Sequence, residues 1–159
     1  MLRLIRAAGV AGTVVAAALA AAGCSAAQAD GSGIAVPAAY VQVPSSGDAT
    51  VGYLDIRNNG AADQLVSVTT SVGGTVQFRA PMHPGVAPIV MHTVPDIPVS
   101  ADAMTQLVPD SYHLLITGAG PMQDGKDITL KLTFAHAGTV TILALVTNPE
   151  SGGSSYFLN

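Results

Sequence analysis

Apolar and polar residues alternate with a period of two in the second half of the chain. Apolar side chains occupy every second position in Ile128–Phe134, and the pattern returns in Val140–Val146 after the Ala137-Gly138 turn. Such alternation is typical of strands that bury one face. The two runs therefore predict a β-hairpin.

Shorter runs of the same kind predict further strands earlier in the chain, with Gly and Pro residues between them. The predicted strands are Val51–Arg57, Gln64–Thr70, Thr75–Arg79, Val90–Val94, Met104–Val108 and Tyr112–Thr117. The sequence after the first 23 residues shows no run with the 3.6-residue period of an amphipathic helix. The pattern therefore predicts an all-β domain, either a sandwich or a barrel.

The N-terminal residues have the pattern of an export signal. Arg3 and Arg6 precede the apolar run Val10–Ala22, which is short and rich in small residues, and Gly23 and Cys24 follow it. A positive start, an apolar stretch and small residues are typical of a signal peptide, and a Cys directly after them indicates a lipoprotein. We expect residues 1–23 to be removed and Cys24 to carry lipid, which anchors the protein to the membrane outside the cytoplasm. An ordinary signal peptide with a chance Cys is the alternative.

The composition of the remaining chain predicts one domain between two small-residue segments. Residues 24–33 are predicted to form a flexible tether, residues 34–147 the β domain, and residues 148–159 a disordered tail. Cys24 is the only cysteine, so the chain cannot form an internal disulfide or a thiolate metal site.

Charge excludes one class of partner. After the signal peptide, four Lys and Arg residues stand against ten Asp and Glu residues. Such a chain repels phosphate backbones, so nucleic acid is not an expected partner.

The sequence contains no convincing set of catalytic residues. Residues 110–113 include an Asp, a Ser and a His, the residue types of a catalytic triad, but they are consecutive, whereas the members of a triad are brought together by the fold. No pair of carboxylates suggests general acid–base catalysis. The sequence therefore gives no indication of an enzyme.

The chemistry of the chain is concentrated in Met and His residues. Four of them fall within eleven residues, at Met82, His83, Met91 and His92. Thioethers suit soft Cu(I), and imidazole adds a nitrogen donor, so this pair of residue types can handle copper in an oxidising compartment without Cys. The alternative is that the Met residues fill the core, as expected for Met104, and that the His residues are solvated, as expected for His136.

Spacing and flanking sequence give the chain a resemblance to the PCu(A)C family of periplasmic copper chaperones. That family carries a His, ten residues, a Met, twenty-one residues, a His, one residue and a Met, and here twenty-one residues separate Met91 from His113. The segments that resemble the family are Tyr53–Gly60, Asp63–Val66, Ile97–Pro98, Pro109–Leu114 and Leu130–Gly138.

The resemblance implies a cupredoxin-like, Greek-key β-sandwich or barrel that carries Cu(I) outside the cytoplasm. It also implies delivery to a copper-accepting membrane protein, such as a respiratory oxidase or its assembly factor. Two ligand positions depart from the family pattern. The first His is replaced by Ala80, or by Arg79 if the loop is one residue longer, and the second Met is replaced by Leu115.

The missing donors have candidate replacements nearby. Met82 and His83 lie on a loop that Pro81 and Pro84 hold extended, and the sequence predicts a copper site of Met91 and His113 with one or both of them. His92 and Met122 are weaker substitutes. Two alternatives stay open, namely a member of the family that binds copper poorly or not at all, and a metal-independent binding or scaffold domain at the cell surface.

Overall fold

A computed structural model describes residues 27–28, 33–44 and 47–151 of the chain. The predicted signal peptide, the lipidation site Cys24 and residues 152–159 of the predicted tail lie outside the described residues. Within the described part, no helix is long and apolar enough to cross a membrane.

The described residues form eleven strands and one short 3₁₀ turn, so the prediction of an all-β domain is confirmed. The turn is Pro149–Ser151. The strands are β1 Ala27–Gln28, β2 Ile34–Gln42, β3 Ala49–Asn58, β4 Asp63–Thr70, β5 Thr75–Pro81, β6 Met91–Val94, β7 Ile97–Val99, β8 Ala103–Leu107, β9 His113–Thr117, β10 Asp127–Phe134 and β11 Gly138–Thr147.

The strands form one strongly curved sheet that is close to a closed barrel. Its order is β6-β5-β9-β3-β2-β11-β10-β4-β7, with β1 paired to β2 and β8 paired to β3. All pairs are antiparallel except β2 with β11. Strand β3 is long enough for β9 to pair with its first half and β8 with its second half. This arrangement brings β9, β5 and β6 together in a three-strand layer at one end of the sheet.

The core is built from aliphatic side chains that alternate along the strands. In β10, Ile128, Leu130, Leu132 and Phe134 are all buried. Their β-branched and Leu neighbours from the other strands complete a single cluster with few aromatic rings. The predicted hairpin of β10 and β11 is present, with Phe134 opposite Gly138.

Three strands were not predicted, namely β1, β2 and β7, and the two that lie within the predicted β domain contain a proline. Pro37 lies inside β2, and the β2–β3 register shifts between Ala35 and Ala38, which places the proline in an irregular part of the ladder. Pro98 lies in the three-residue strand β7 at the end of the sheet order. Both positions suit proline because it cannot donate to a regular ladder. Strand β1 lies within the segment predicted as a tether and pairs with β2.

The buried carboxylate of Asp63 joins the start of β4 to the β10–β11 hairpin. Its Oδ1 accepts the amides of Gln64 at 2.7 Å and His136 at 3.0 Å, and its Oδ2 accepts the amide of Ala137 at 2.8 Å. The Nδ1 of His136 lies 3.1 Å from Oδ1. Burial acts to raise the pKa of Asp63, but these hydrogen bonds outweigh it and hold the pKa below its usual value.

Candidate metal-binding face

Strand register places Met91 and His113 on the same face of the β6-β5-β9 layer. Arg79 of β5 lies opposite His113 of β9 on one side and Thr93 of β6 on the other. Pro81, two residues after Arg79, lies opposite Met91. Residues opposite each other in a ladder, and residues two apart in a strand, share a face. Met91, Arg79 and His113 therefore share the face that we call the candidate face.

The same register separates the two residues, Ala80 and Arg79, that the sequence offers for the position of the family's first His. Ala80 is only 5% exposed and lies opposite His92, so its methyl group points to the other side of the layer from His113. Arg79 is the direct cross-strand neighbour of His113. Of these two residues, Arg79 shares the candidate face with His113 and Ala80 does not.

The guanidinium of Arg79 is held toward β6 by two hydrogen bonds. Its Nη1 donates to Oγ1 of Thr93 at 2.8 Å, and its Nη2 donates to the backbone carbonyl of Met91 at 2.9 Å. A permanent positive charge therefore lies between the two residues that match the family pattern. A guanidinium has no lone pair to offer a metal, so it cannot replace the missing imidazole.

The His113 ring is half-buried and oriented by its neighbours. Its Nδ1 lies 3.1 Å from the carbonyl of Ser111, which can only accept, so Nδ1–H donates and Nε2 keeps the lone pair in the neutral ring. Burial lowers the pKa of His113; the Ser111 carbonyl and the charge of Asp110 oppose the shift, and the charge of Arg79 adds to it. The Tyr53 ring lies against the imidazole, with centroids 6.1 Å apart and planes at 57°. The ring is thus preset to offer Nε2.

An apolar side chain fills the corner where the family has its second Met. Leu115 is two residues after His113 and lies opposite Gln77 on β5 and Val51 on β3. It is half-buried and shares the candidate face with His113. This corner has the right orientation for a donor but carries none.

The two loop candidates, Met82 and His83, lie just beyond the end of β5. Met82 is 54% exposed, and its amide donates to the carbonyl of Val90 at 2.8 Å, so the hairpin pairing continues one step past Pro81. The pairing ends there, because Met82 and His83 lie in a bend and the amide of Val86 donates to the carbonyl of His83 at 3.2 Å. The loop therefore turns instead of staying extended as expected. His83 is exposed.

The remaining Met and His residues lie away from the candidate face. His92 is on the other side of β6, and its buried Nδ1 has no hydrogen-bond partner. Met122 packs against the core. The His136 side chain is 79% exposed, as expected, but Met104 is 37% exposed on β8, so the expectation that it packs in the core is wrong.

The donors on the candidate face fit Cu(I) only in part. One thioether and one imidazole are suitable, whereas Arg79 and Leu115 are not. Among the described residues, His, Cys, Asp and Glu form no cluster of three or more that could hold a metal, so any site here depends on Met sulfur. Sequence reasoning treated Arg79 as a vacancy and missed its contacts with Met91 and Thr93, because these depend on strand register.

Comparison with known proteins identifies a family and a fold. Residues 34–146 match the LpqE-like family, whose description is "Putative lipoprotein LpqE-like". The apo PCuAC domain from PmoF1 superposes with a TM-score of 0.63 at 21% identity, covering 74% of this chain and 95% of that one. The copper-bound PCuAC domain from PmoF2 gives 0.61 at 21% identity, covering 74% and 94%.

A third solved structure, apo-DR1885 from Deinococcus radiodurans, gives a TM-score of 0.55 at 24% identity and covers 91% of this chain and 97% of that one. No curated protein sequence matches the chain significantly. At these identities the structural likeness shows the fold. The fold is that of PCuAC domains, which confirms the predicted cupredoxin-like architecture.

Proposed function

Because this chain belongs to the LpqE-like family and has the fold of PCuAC domains, we propose that it is an extracytoplasmic copper carrier that binds Cu(I) through Met91 and His113. The observation that carries the proposal is the strand register, which brings both side chains to one face across β5. A neutral imidazole with Nε2 available and a half-buried thioether are donors that Cu(I) accepts. Copper is the cargo of this protein.

Met82 and His83 complete the proposed donor set from the loop. The stretch from Ala80 to Pro95 carries no Asp, Glu, Lys or Arg, so no carboxylate or ammonium on it competes for the metal or repels it. His83 is exposed at the turn of the loop that joins β5 to β6, so its imidazole is accessible to a metal next to Met91. Met82 reaches the metal only if the loop turns its side chain around the end of β5.

The proposed setting is the outer face of the cell membrane. Cys24 would carry lipid, and the acceptor of the copper would be a membrane protein such as a respiratory oxidase or its assembly factor. The lipoprotein description of the family supports the anchor, and the resemblance to copper chaperones supports the acceptor. Intact-mass measurement of the membrane-extracted protein tests the anchor, since Cys24→Ser should abolish the added lipid mass.

Anaerobic Cu(I) titration against a competing chelator tests the metal site. Met91→Leu and His113→Gln should each weaken Cu(I) retention at least tenfold, which is about 1.4 kcal/mol. Met104→Leu and His136→Gln are matched controls, because they remove the same donor types from exposed positions elsewhere. Unchanged retention in both Met91→Leu and His113→Gln would reject this face as the copper site.

The second candidate function is a metal-independent binding or scaffold domain at the cell surface. The observation that favours it is the presence of Arg79 and Leu115 at two positions where the family has donors. The same Cu(I) titration decides between the two candidate functions. If the wild-type protein retains no Cu(I) against a weak chelator, the result supports the metal-independent binding or scaffold function.

A further inference from the structure

Arg79 is a positively charged side chain without a negative partner. Among the described residues no carboxylate lies within ion-pair distance of its guanidinium, although the chain carries ten acidic residues. The two hydrogen bonds of Arg79 go to neutral oxygens, one of Thr93 and one of Met91. The guanidinium thus has no direct ion pair in the described chain, and the negative charge of Asp110 acts through space on the neighbouring His113.

The guanidinium also keeps hydrogen-bond donors to spare. It has five N–H groups, and the contacts to Thr93 and Met91 use two of them. Arg79 is half-buried, and its bond to Thr93 lies at the exposed side of the layer, so a small solute can reach it. A fork of free donors on a delocalised cation is the group that proteins use to bind carboxylates and other anions.

The same charge works against the proposed cargo. Arg79 lies directly opposite His113 and donates to the backbone of Met91, so a Cu(I) ion held by these two residues would be close to a like charge. The face itself would supply the ion with only two donors, because Leu115 occupies the remaining corner and any further protein donor must come from the loop. A negative ligand on Arg79 would remove both difficulties, since it offsets the charge and offers a lone pair to the metal.

We propose that Arg79 binds a small monovalent anion, a halide or a carboxylate, beside Met91 and His113, and that Cu(I) retention on this face depends on that anion. The second clause rests on the proposed copper function, whereas the first does not. The coupling is reciprocal, so bound copper must raise the affinity for the anion by the factor by which the anion raises the affinity for copper.

The anion site is tested first without metal. The full-length mature protein is titrated with sodium chloride or sodium acetate at constant ionic strength, with sodium perchlorate as the weakly coordinating balance, and the NMR signals of the His113 and Tyr53 rings are followed. Saturable shifts in the wild type that Arg79→Gln abolishes and Lys131→Gln leaves intact are expected. No saturable shift in either salt, or the same shift in Arg79→Gln, overturns the site. The salt that acts at lower concentration identifies the halide or the carboxylate.

The dependence of copper on the anion is tested by chelator competition in the same salts. Free chloride and acetate compete for Cu(I) equally in both samples, so the ratio of wild-type to Arg79→Gln affinity isolates the site. We expect this ratio to rise at least tenfold from perchlorate to the active salt. An unchanged ratio overturns the dependence and leaves Arg79 as a charge barrier. If no salt allows the wild type to bind Cu(I), the copper function fails while the NMR titration still decides the anion site.

Discussion

The domain contains two charged side chains that each lie beside a histidine, and they differ in how the protein satisfies them. Asp63 next to His136 accepts three backbone amides and the imidazole Nδ1. Arg79 next to His113 makes two bonds to neutral oxygens and has no carboxylate within ion-pair distance in the described chain. The protein thus satisfies the Asp63 carboxylate with four hydrogen bonds, whereas the Arg79 guanidinium keeps N–H groups that the described chain does not bind.

This difference separates a structural group from a group that is available for binding. Three of the four hydrogen bonds of the Asp63 carboxylate, to His136 and Ala137, join β4 to the β10–β11 hairpin, and the carboxylate is only 4% exposed. At the β5–β6 end, by contrast, the His92 Nδ1 is buried without a partner, and the loop exposes Met82, Val86 and Val90. Buried polar groups are normally paired, and apolar side chains are normally covered, so this end is where a ligand or partner is expected.

The largest expected difference between the two regions is in stability. Asp63→Asn removes the charge and turns an amide NH₂ toward a backbone donor, which should cost about 2 to 3 kcal/mol. Arg79→Gln is the matched change at the other site and should cost less than about 1 kcal/mol, because its partners remain accessible to water. Urea unfolding of both variants measures the two values. Equal losses in the free energy of unfolding would contradict the distinction between a structural Asp63 and an Arg79 that is available for binding.

Acidic pH should reduce the contribution of the Asp63 carboxylate to the stability of the folded protein. Its pKa in the folded protein lies below the ordinary value of 3.8, so the folded state holds the ionised form more strongly than the unfolded state does. The stability from this group is therefore fully present above the ordinary carboxyl pKa and is lost as the pH falls through the folded pKa. The stability gap between wild type and Asp63→Asn should narrow below about pH 4. A stability difference between the two proteins that stays constant as the pH falls below about 4 would contradict the role of ionised Asp63 in stabilising the fold.

The fold could be predicted from the sequence where strands bury one face. The alternation in β10 and β11, and shorter runs such as Val51–Arg57, predict strands that the structure contains with shifts of a few residues at their ends. The two strands that were missed within the predicted domain, Ile34–Gln42 and Ile97–Val99, contain Pro37 and Pro98, which interrupt the pattern that predicts a ladder. Pairing over long sequence separations, such as β2 with β11, leaves no periodic signal.

The candidate face could be predicted only in part. Spacing relates Met91 to His113, but it does not tell which of Arg79 and Ala80 faces them, because a slip of one residue reverses every side chain of a strand. The hydrogen bonds of Arg79 follow from the register of β5 against β6 and β9, and the orientation of His113 follows from Ser111 and Tyr53. No pattern in the sequence predicts either the hydrogen bonds of Arg79 or the orientation of the His113 ring.

The smallest expected effect concerns the apolar corner of the candidate face. Leu115 already shares the face of His113, and Leu and Met have nearly equal volume, so Leu115→Met adds a thioether with a stability change below about 1.5 kcal/mol. If the corner at Leu115 is still open when copper is bound, the variant should tighten Cu(I) about fivefold, or about 1 kcal/mol. Leu143→Met, on the exposed side of β11, is the control for a thioether added elsewhere.

The double variant Met82→Leu with His83→Gln tests whether the loop donors already complete the copper site, which decides how the effect of Leu115→Met is interpreted. If the loop donors complete the site, the double variant weakens Cu(I) retention and Leu115→Met gains little, because the coordination of the metal is already full. If they do not, the double variant changes nothing and Leu115→Met has its full effect, because a corner is still open. The single variants Met82→Leu and His83→Gln then show which of the two loop donors accounts for the loss. If neither Leu115→Met nor the double variant alters Cu(I) retention, copper does not bind on this face, and the guanidinium of Arg79 has another use.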